Sequence, residues 1–168
     1  ALVAVYFVNL FFFQNYVIPS SSLEKSLLVG DYLFVNKASY GARIPQTPLH
    51  MPLTQHTLPI VNTKSYIEWP KWDYKRVEGL GKVQLNDIVV FNFPTGDTVC
   101  TKMQNPDYYT LCHYYGKRTV ENRKDVFGEI VVRPVDRREN YVKRCVGTPG
   151  DTLQIIDNVI YIDGVQEP

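Results

Sequence analysis

The chain has 168 residues, 45% apolar and 21% charged, enough for one domain with its own core or for one domain carrying a large insertion. A net charge of +1 removes any electrostatic case for binding nucleic acid. Twelve Tyr residues, with 10 Gly and 11 Pro punctuating short apolar runs, favour strands over helices.

The chain opens at Ala1 with "ALVAVYFVNLFFF", apolar except for Asn9. As a helix these 13 residues span roughly 20 Å, short of the ~30 Å hydrocarbon core of a bilayer. Two readings stand: a buried core helix or strand, or the exit end of a membrane anchor whose aromatics at Tyr6 to Phe13 sit where an interfacial belt would lie. "SLLVGDYLFVNKASYG" reads as one or two strands, a Leu27-Leu28-Val29 run and then Tyr32 to Val35, around a Gly-Asp corner. Residues 45–83, rich in Pro with little periodicity, read as a long surface excursion. "NDIVVFNFP", within 84–94, is a buried strand closed by a proline. Residues 95–139 read as strands alternating with turns, a β-rich insertion. "NYVKRCVGTPGD" is a strand ending in a Pro-Gly turn, and "TLQIIDNVIYIDG" is a hairpin about Asp157-Asn158. The chain closes on "YIDGVQEP", and both ends are those expected of a piece of a longer protein.

Three cysteines, Cys100, Cys112 and Cys145, show no C-x-x-C spacing, and His50, His56 and His113 form no ligand motif, so no metal and no cofactor is expected. Cys100 and Cys112 flank a stretch that reads as strand-turn-strand. They are either a disulfide of an oxidising compartment or two free thiols.

"IPSSSL" places three serines between a proline and a strand-like run. They are either a solvated turn or the seat of a nucleophile. A serine hydroxyl attacks only when a base takes its proton. The three histidines lie in the Pro-rich and Tyr-rich stretches, which leaves lysine. A lysine serves as a base only when neutral, which asks for surroundings that lower its ordinary pKa of about 10.4. Lys143 stands mid-strand on one face with Tyr141 and Cys145, while Val142, Arg144 and Val146 alternate to the other. Taken alone, it reads equally as a solvated edge lysine.

"IPSSSL", "NDIVVF" and "YVKRCVGTPGD", in this order, resemble the boxes of bacterial type I signal peptidase, the Ser-Lys leader peptidase family. The resemblance spans residues 14–44, 84–94 and 140–164. It implies a mostly β fold of coiled antiparallel sheets, with a β-rich insertion, preceded at residues 1–13 by the end of a membrane-anchor segment. The catalytic core is then expected in 14–44, 84–94 and 140–168. It also implies a membrane-bound serine endopeptidase that removes signal peptides from exported preproteins on the outer face of the cytoplasmic membrane. By the family's Pro-Ser-x-Ser motif Ser22 is the nucleophile, and Lys143 is the base. Ser20 and the Ser22 amide hold the oxyanion. The expected substrate groove has walls at Tyr16, Val17, Ile18, Pro19 and Ser20 and at Asn140, Tyr141 and Val142, with Leu23 and Leu27 as further apolar contacts. The expected partners are signal peptides and the lipid membrane. The sequence departs from the family pattern at Leu23, at Lys25-Ser26, at Asn86 where the family has Gly, and in lacking the family's last Gly-Asp-Asn box. Residues 1–168 alone are therefore expected to be a poor catalyst. A self-cleaving Ser-Lys protease and a non-catalytic β-rich binding module are the alternatives.

Overall fold

A computed structural model describes residues 2–61 and 63–167. In chain order its elements are α1 (Leu2–Phe11), β1 (Phe13–Val17), β2 (Tyr32–Asn36), β3 (Arg43–Ile44), β4 (Lys75–Arg76), β5 (Ile88–Asn92) and β6 (Thr98–Cys100). There follow α2 (Tyr108–Tyr115), α3 (Lys117–Asn122), α4 (Lys124–Phe127), β7 (Ile130–Val132), β8 (Asn140–Arg144), β9 (Leu153–Ile156), β10 (Val159–Ile162) and β11 (Val165–Gln166). Short 3₁₀ turns stand at Ser21–Leu23 and Val135–Arg137. Strands dominate, as composition implies. The chain divides into two units, one of residues 1–44, 75–91 and 142–168, the other of residues 45–74 and 92–141.

In the first unit β1 and β2 form an antiparallel ribbon with Tyr16 opposite Leu33 and Val17 opposite Tyr32. Its alternation is inverted on one face: Phe13, Val17, Tyr32 and Phe34 are exposed, Tyr32 by 82% and Phe34 by 75%. Leu27 to Val29, expected as strand, form a turn instead, because the Asp31 carboxylate accepts the Leu28 N–H and pulls the chain into the corner. The excursion ends earlier than composition suggests, at residue 74, since Lys75–Arg76 pair with Arg43–Ile44. There Gly41, at φ 83°, lies so close to Val77 that an added Cβ would stand 1.9 Å from the Val77 carbonyl oxygen. β9, β10 and β11 form a meander. Asp157 and Asn158 take φ of 50° and 64°, the two left-handed residues of the expected hairpin turn. α1 is helical over ten residues, and no helix among the described residues is long and apolar enough to cross a membrane.

The second unit corrects the reading of residues 95–139. Residues 108–127 are helical, not stranded. Asp107 caps α2 by accepting the N–H groups of Tyr109 and Thr110 at 3.0 and 3.2 Å. Gly116, at φ 80°, turns the chain between α2 and α3. Leu111 and Val120, at 1% and 0% exposure, pack with Cys100, Tyr108 and Phe127 as the core of this unit. Each such burial contributes roughly 1.5–3 kcal/mol. Periodicity was obscured here because aromatic residues occupy both faces of α2: Tyr108 is buried while Tyr114 is 72% exposed.

The stretch 45–74 belongs to this unit and is pinned from within. Arg137, at 4% exposure, donates to the Thr47 hydroxyl at 2.7 Å, the Thr47 carbonyl at 2.9 Å and the Gln55 carbonyl at 3.2 Å, and stacks over the Tyr66 ring. The Asp136 carboxylate accepts from the Thr47 N–H and hydroxyl.

Candidate active site

The nucleophile candidate sits where β1 ends. Ile18 is buried, its N–H donating to the Asp31 carbonyl and its own carbonyl accepting from Gly30. Pro19 cannot extend the ladder, and Ser20, extended at φ −142° and ψ 154°, leads into the Ser21–Leu23 turn. The turn then continues: Glu24 N–H bonds to Ser21 C=O, and the Ser26 and Leu27 N–H groups both bond to Leu23 C=O at 2.7 Å. Ser22 and Ser26, four residues apart on a helical turn, therefore present their hydroxyls to one side.

The base candidate stands on β8, whose register beside β5 is held by two backbone bonds, Asn86 N–H to Cys145 C=O and Cys145 N–H to Asp87 C=O, both 2.8 Å. From this strand Lys143 Nζ reaches Ser22 Oγ at 2.7 Å, across 121 residues of sequence. Both side chains are exposed. The Ser20 hydroxyl is also exposed and makes no capping bond, so it is available to a ligand.

Neighbouring groups stiffen this corner. The Tyr40 hydroxyl donates to Asp87 at 2.6 Å, and with the Gln84 N–H it holds that carboxyl below the usual carboxylate range. Asn86 takes φ 68°, a left-handed conformation in which Asn is enriched among non-glycine residues. Burial pushes the Tyr16 phenol up to about 12, with the Arg43 guanidinium pulling the other way.

The remaining expected contacts fare unevenly. Tyr16 and Val17 close β1, and Leu23 and Leu27 are half-buried in the turn. Ile18 is 3% exposed, with both backbone groups engaged by Gly30 and Asp31. Val142 lies in the first unit, while Asn140 and Tyr141 belong to the second. There the Tyr141 ring packs 4.8 Å from Phe93, and Asn140 Oδ1 accepts from Asn92 at 3.2 Å.

The Cys100–Cys112 disulfide is not formed. All three cysteines are free thiols. The two do not straddle a hairpin: Cys100 ends β6, and Cys112 lies on α2. Burial, with Cys112 close by, pushes the Cys100 thiol up and so suppresses the thiolate that disulfide exchange requires.

Sequence reasoning missed one pair of this site. Arg144 Nη2 donates to Ser26 Oγ at 2.6 Å and Nη1 to the Asn86 carbonyl at 3.0 Å. Two adjacent cations in mid-strand were the available signal.

The family model "Signal peptidase, peptidase S26" matches residues 1–168. Among curated proteins, the signal peptidase I of Rickettsia conorii is 34% identical over 90 residues, 44% of this chain and 34% of that protein. The signal peptidase I of Rickettsia typhi is 34% identical over the same length. The signal peptidase I of Pseudomonas aeruginosa is 24% identical over 155 residues, 92% of this chain and 31% of that protein. The chain thus spans about a third of the length of these relatives. No solved structure matches. With Ser22 and Lys143 in contact within the boxes that carried the resemblance, and with the family model running the whole length of the chain, this protein belongs to the signal peptidase family, peptidase S26.

Proposed function

We propose that the chain carries the nucleophile and base of a membrane-bound endopeptidase that removes signal peptides from exported preproteins. The observation that carries this reading is the 2.7 Å hydrogen bond between Lys143 Nζ and Ser22 Oγ. That distance lies within the range over which a general base takes a nucleophile's proton.

In this reading the unprotonated Lys143 amine accepts the Ser22 proton as Oγ attacks the scissile carbonyl. The oxyanion that forms is held by the Ser20 hydroxyl and the Ser22 N–H, donors whose removal costs roughly 3 kcal/mol each in comparable sites. The tetrahedral adduct collapses, and Lys143 returns the proton to the departing amine. The acyl-enzyme at Ser22 is then hydrolysed by a water that gives a proton to Lys143, and as the acyl bond breaks Lys143 passes that proton to Ser22 Oγ, restoring the hydroxyl and the neutral amine. The substrate is the extended end of a signal peptide, lying as an added strand beside Val17 and Pro19. The exposed apolar face of Phe13, Val17, Tyr32 and Phe34 supports a position at a lipid surface; the outer side of the cytoplasmic membrane is proposed from the family resemblance alone.

The test is cleavage of a preprotein by the intact protein. Ser22→Ala and Lys143→Met should each lower the rate by at least about 10³-fold with the circular dichroism spectrum unchanged. Cleavage retained by Ser22→Ala would place the nucleophile elsewhere.

A further inference from the structure

Lys143 and Arg144 are successive residues of β8, so their side chains leave the strand on opposite faces. Yet both end on hydroxyls of one turn, Lys143 on Ser22 and Arg144 on Ser26. Arg144 achieves this by length, curling back while its second nitrogen is anchored on the Asn86 carbonyl. Asn86 is itself fixed to the ladder, its N–H bonded to Cys145. The guanidinium is therefore tied at one side to the strand that carries the base and at the other to the turn that carries the nucleophile. Two side-chain hydrogen bonds join the turn to β8 among the described residues, and one of them is the reacting pair itself.

A reacting pair cannot also be its own positioning device. The Ser22–Lys143 bond must break as the proton moves and the hydroxyl swings onto the carbonyl carbon. A second tie that stays intact through the reaction keeps the turn from drifting, and misplacement by about 1 Å is enough to cost roughly 10²-fold in rate. A planar guanidinium suits the task because it donates in two fixed directions at once, which an ammonium does not.

We propose that Arg144 and Ser26 form a clasp that positions the nucleophile turn on the base strand, a role that rests on the Ser22–Lys143 reading. Neither residue touches substrate; each acts through Ser22.

The test uses the intact protein in detergent with a synthetic signal-peptide substrate. Ser26→Ala, which alters no charge and removes one exposed hydroxyl, should lower kcat by about 10-fold with KM unchanged, the scale of one lost charge-assisted hydrogen bond. Ser26→Thr, which keeps the hydroxyl, should restore it. Arg144→Ala should lower kcat at least as far, and Ser26→Ala added to it should cost nothing more, because the bond is already gone. Arg144→Lys should remain impaired. Wild-type kcat in Ser26→Ala, a rise in KM alone, or strictly multiplicative losses in the double variant would each overturn the clasp. Ser22→Ala runs alongside. If it is inactive while Ser26→Ala is normal, the clasp alone is wrong; if it still cleaves, the dyad fails and the clasp with it. Should Arg144→Ala fail to fold, the Ser26 pair of variants still decides.

Discussion

Thr47→Val should destabilise the second unit by about 3 kcal/mol, although it exchanges two side chains of nearly the same shape. Thr47 is fully buried. Its hydroxyl accepts from Arg137 Nε at 2.7 Å and donates to Asp136 Oδ2 at 2.9 Å, so it is the neutral link between a buried cation and a carboxylate. Each hydrogen bond to a charged group contributes roughly 1.5–3 kcal/mol, and the variant loses two of them inside a buried ionic network, although Arg137 keeps the Thr47 and Gln55 carbonyls and its pairing with Asp136. The Thr47 N–H still reaches Asp136 in the variant, and the new methyl recovers some apolar burial, which places the net near the lower end of the sum. Both tryptophans, Trp69 and Trp72, lie in this unit, so their fluorescence reports its unfolding in urea. At a slope of about 1–2 kcal/mol/M the midpoint should fall by about 2 M with the slope unchanged. Thr47→Ser, which keeps the hydroxyl and deletes one methyl, should cost only about 1 kcal/mol. Thr47→Val within about 0.5 kcal/mol of wild type, or Thr47→Ser as costly as Thr47→Val, would show that the pocket is held by shape and that Arg137 does not organise it.

Ser20→Ala should lower kcat for a signal-peptide substrate by about 10²–10³-fold with little change in KM, as expected of an oxyanion donor; a KM effect alone contradicts the role. The second unit should lose stability on acidification. Burial lowers the His50 pKa from its ordinary 6.5, so below that pH the unfolded chain takes up a proton more readily than the native one. Hydrogen bonding from His56, with Arg133 beside it, holds Glu139 below its ordinary 4.5, so its contribution is present above that pH and fades as pH falls through the depressed native value. Tryptophan-monitored melting from pH 7 to 4 should show a steady decline, and a flat profile between pH 6.5 and 5 would refute the His50 part. Cys100, fully buried, should resist an aqueous thiol reagent in the native protein while Cys112 and Cys145 react; three equally fast thiols would contradict the core described for β6 and α2.

What the sequence disclosed followed the range of the forces involved. The hairpin about Asp157-Asn158 was legible because its two positive-φ residues are a local demand that few side chains meet. β5 and β8 were legible as strands because their apolar and alternating runs are bounded by turn residues, but β5 is not the buried strand expected, since Ile88 and Phe91 are exposed. α2 was misread because "YYTLCHYY" has strand-like composition, and what makes it a helix is the Asp107 cap and the packing of Leu111 against Val120, neither visible in the residue types alone. Residues 45–74 looked structureless because their organiser, Arg137, comes about 90 positions later in the chain. Ser22 and Lys143 were legible only through family resemblance. Lys143 read as well as an edge lysine, and nothing local ties it to a serine 121 residues away.

That separation says what the site requires. The stretches between the nucleophile turn and the base strand include both pieces of the second unit, residues 45–74 and 92–141. Lengthening a connection is thermodynamically cheap, since each doubling of a flexible loop costs only about 0.6 kcal/mol, and a folded insertion costs less still because its own core holds its ends. Sequence distance therefore places almost no constraint on the dyad. The constraint lies in the last few ångströms, where the Ser21–Leu23 turn meets β8. There, Pro19 and the Ile18–Asp31 bond aim the turn, the Asn86–Cys145 pair sets the register of the strand, and Arg144 joins the two. Changes to the length of the connecting stretches should be tolerated by the dyad as long as these local ties stand. Changes to Ser26 or Arg144 should not be, however short the chain between them is made.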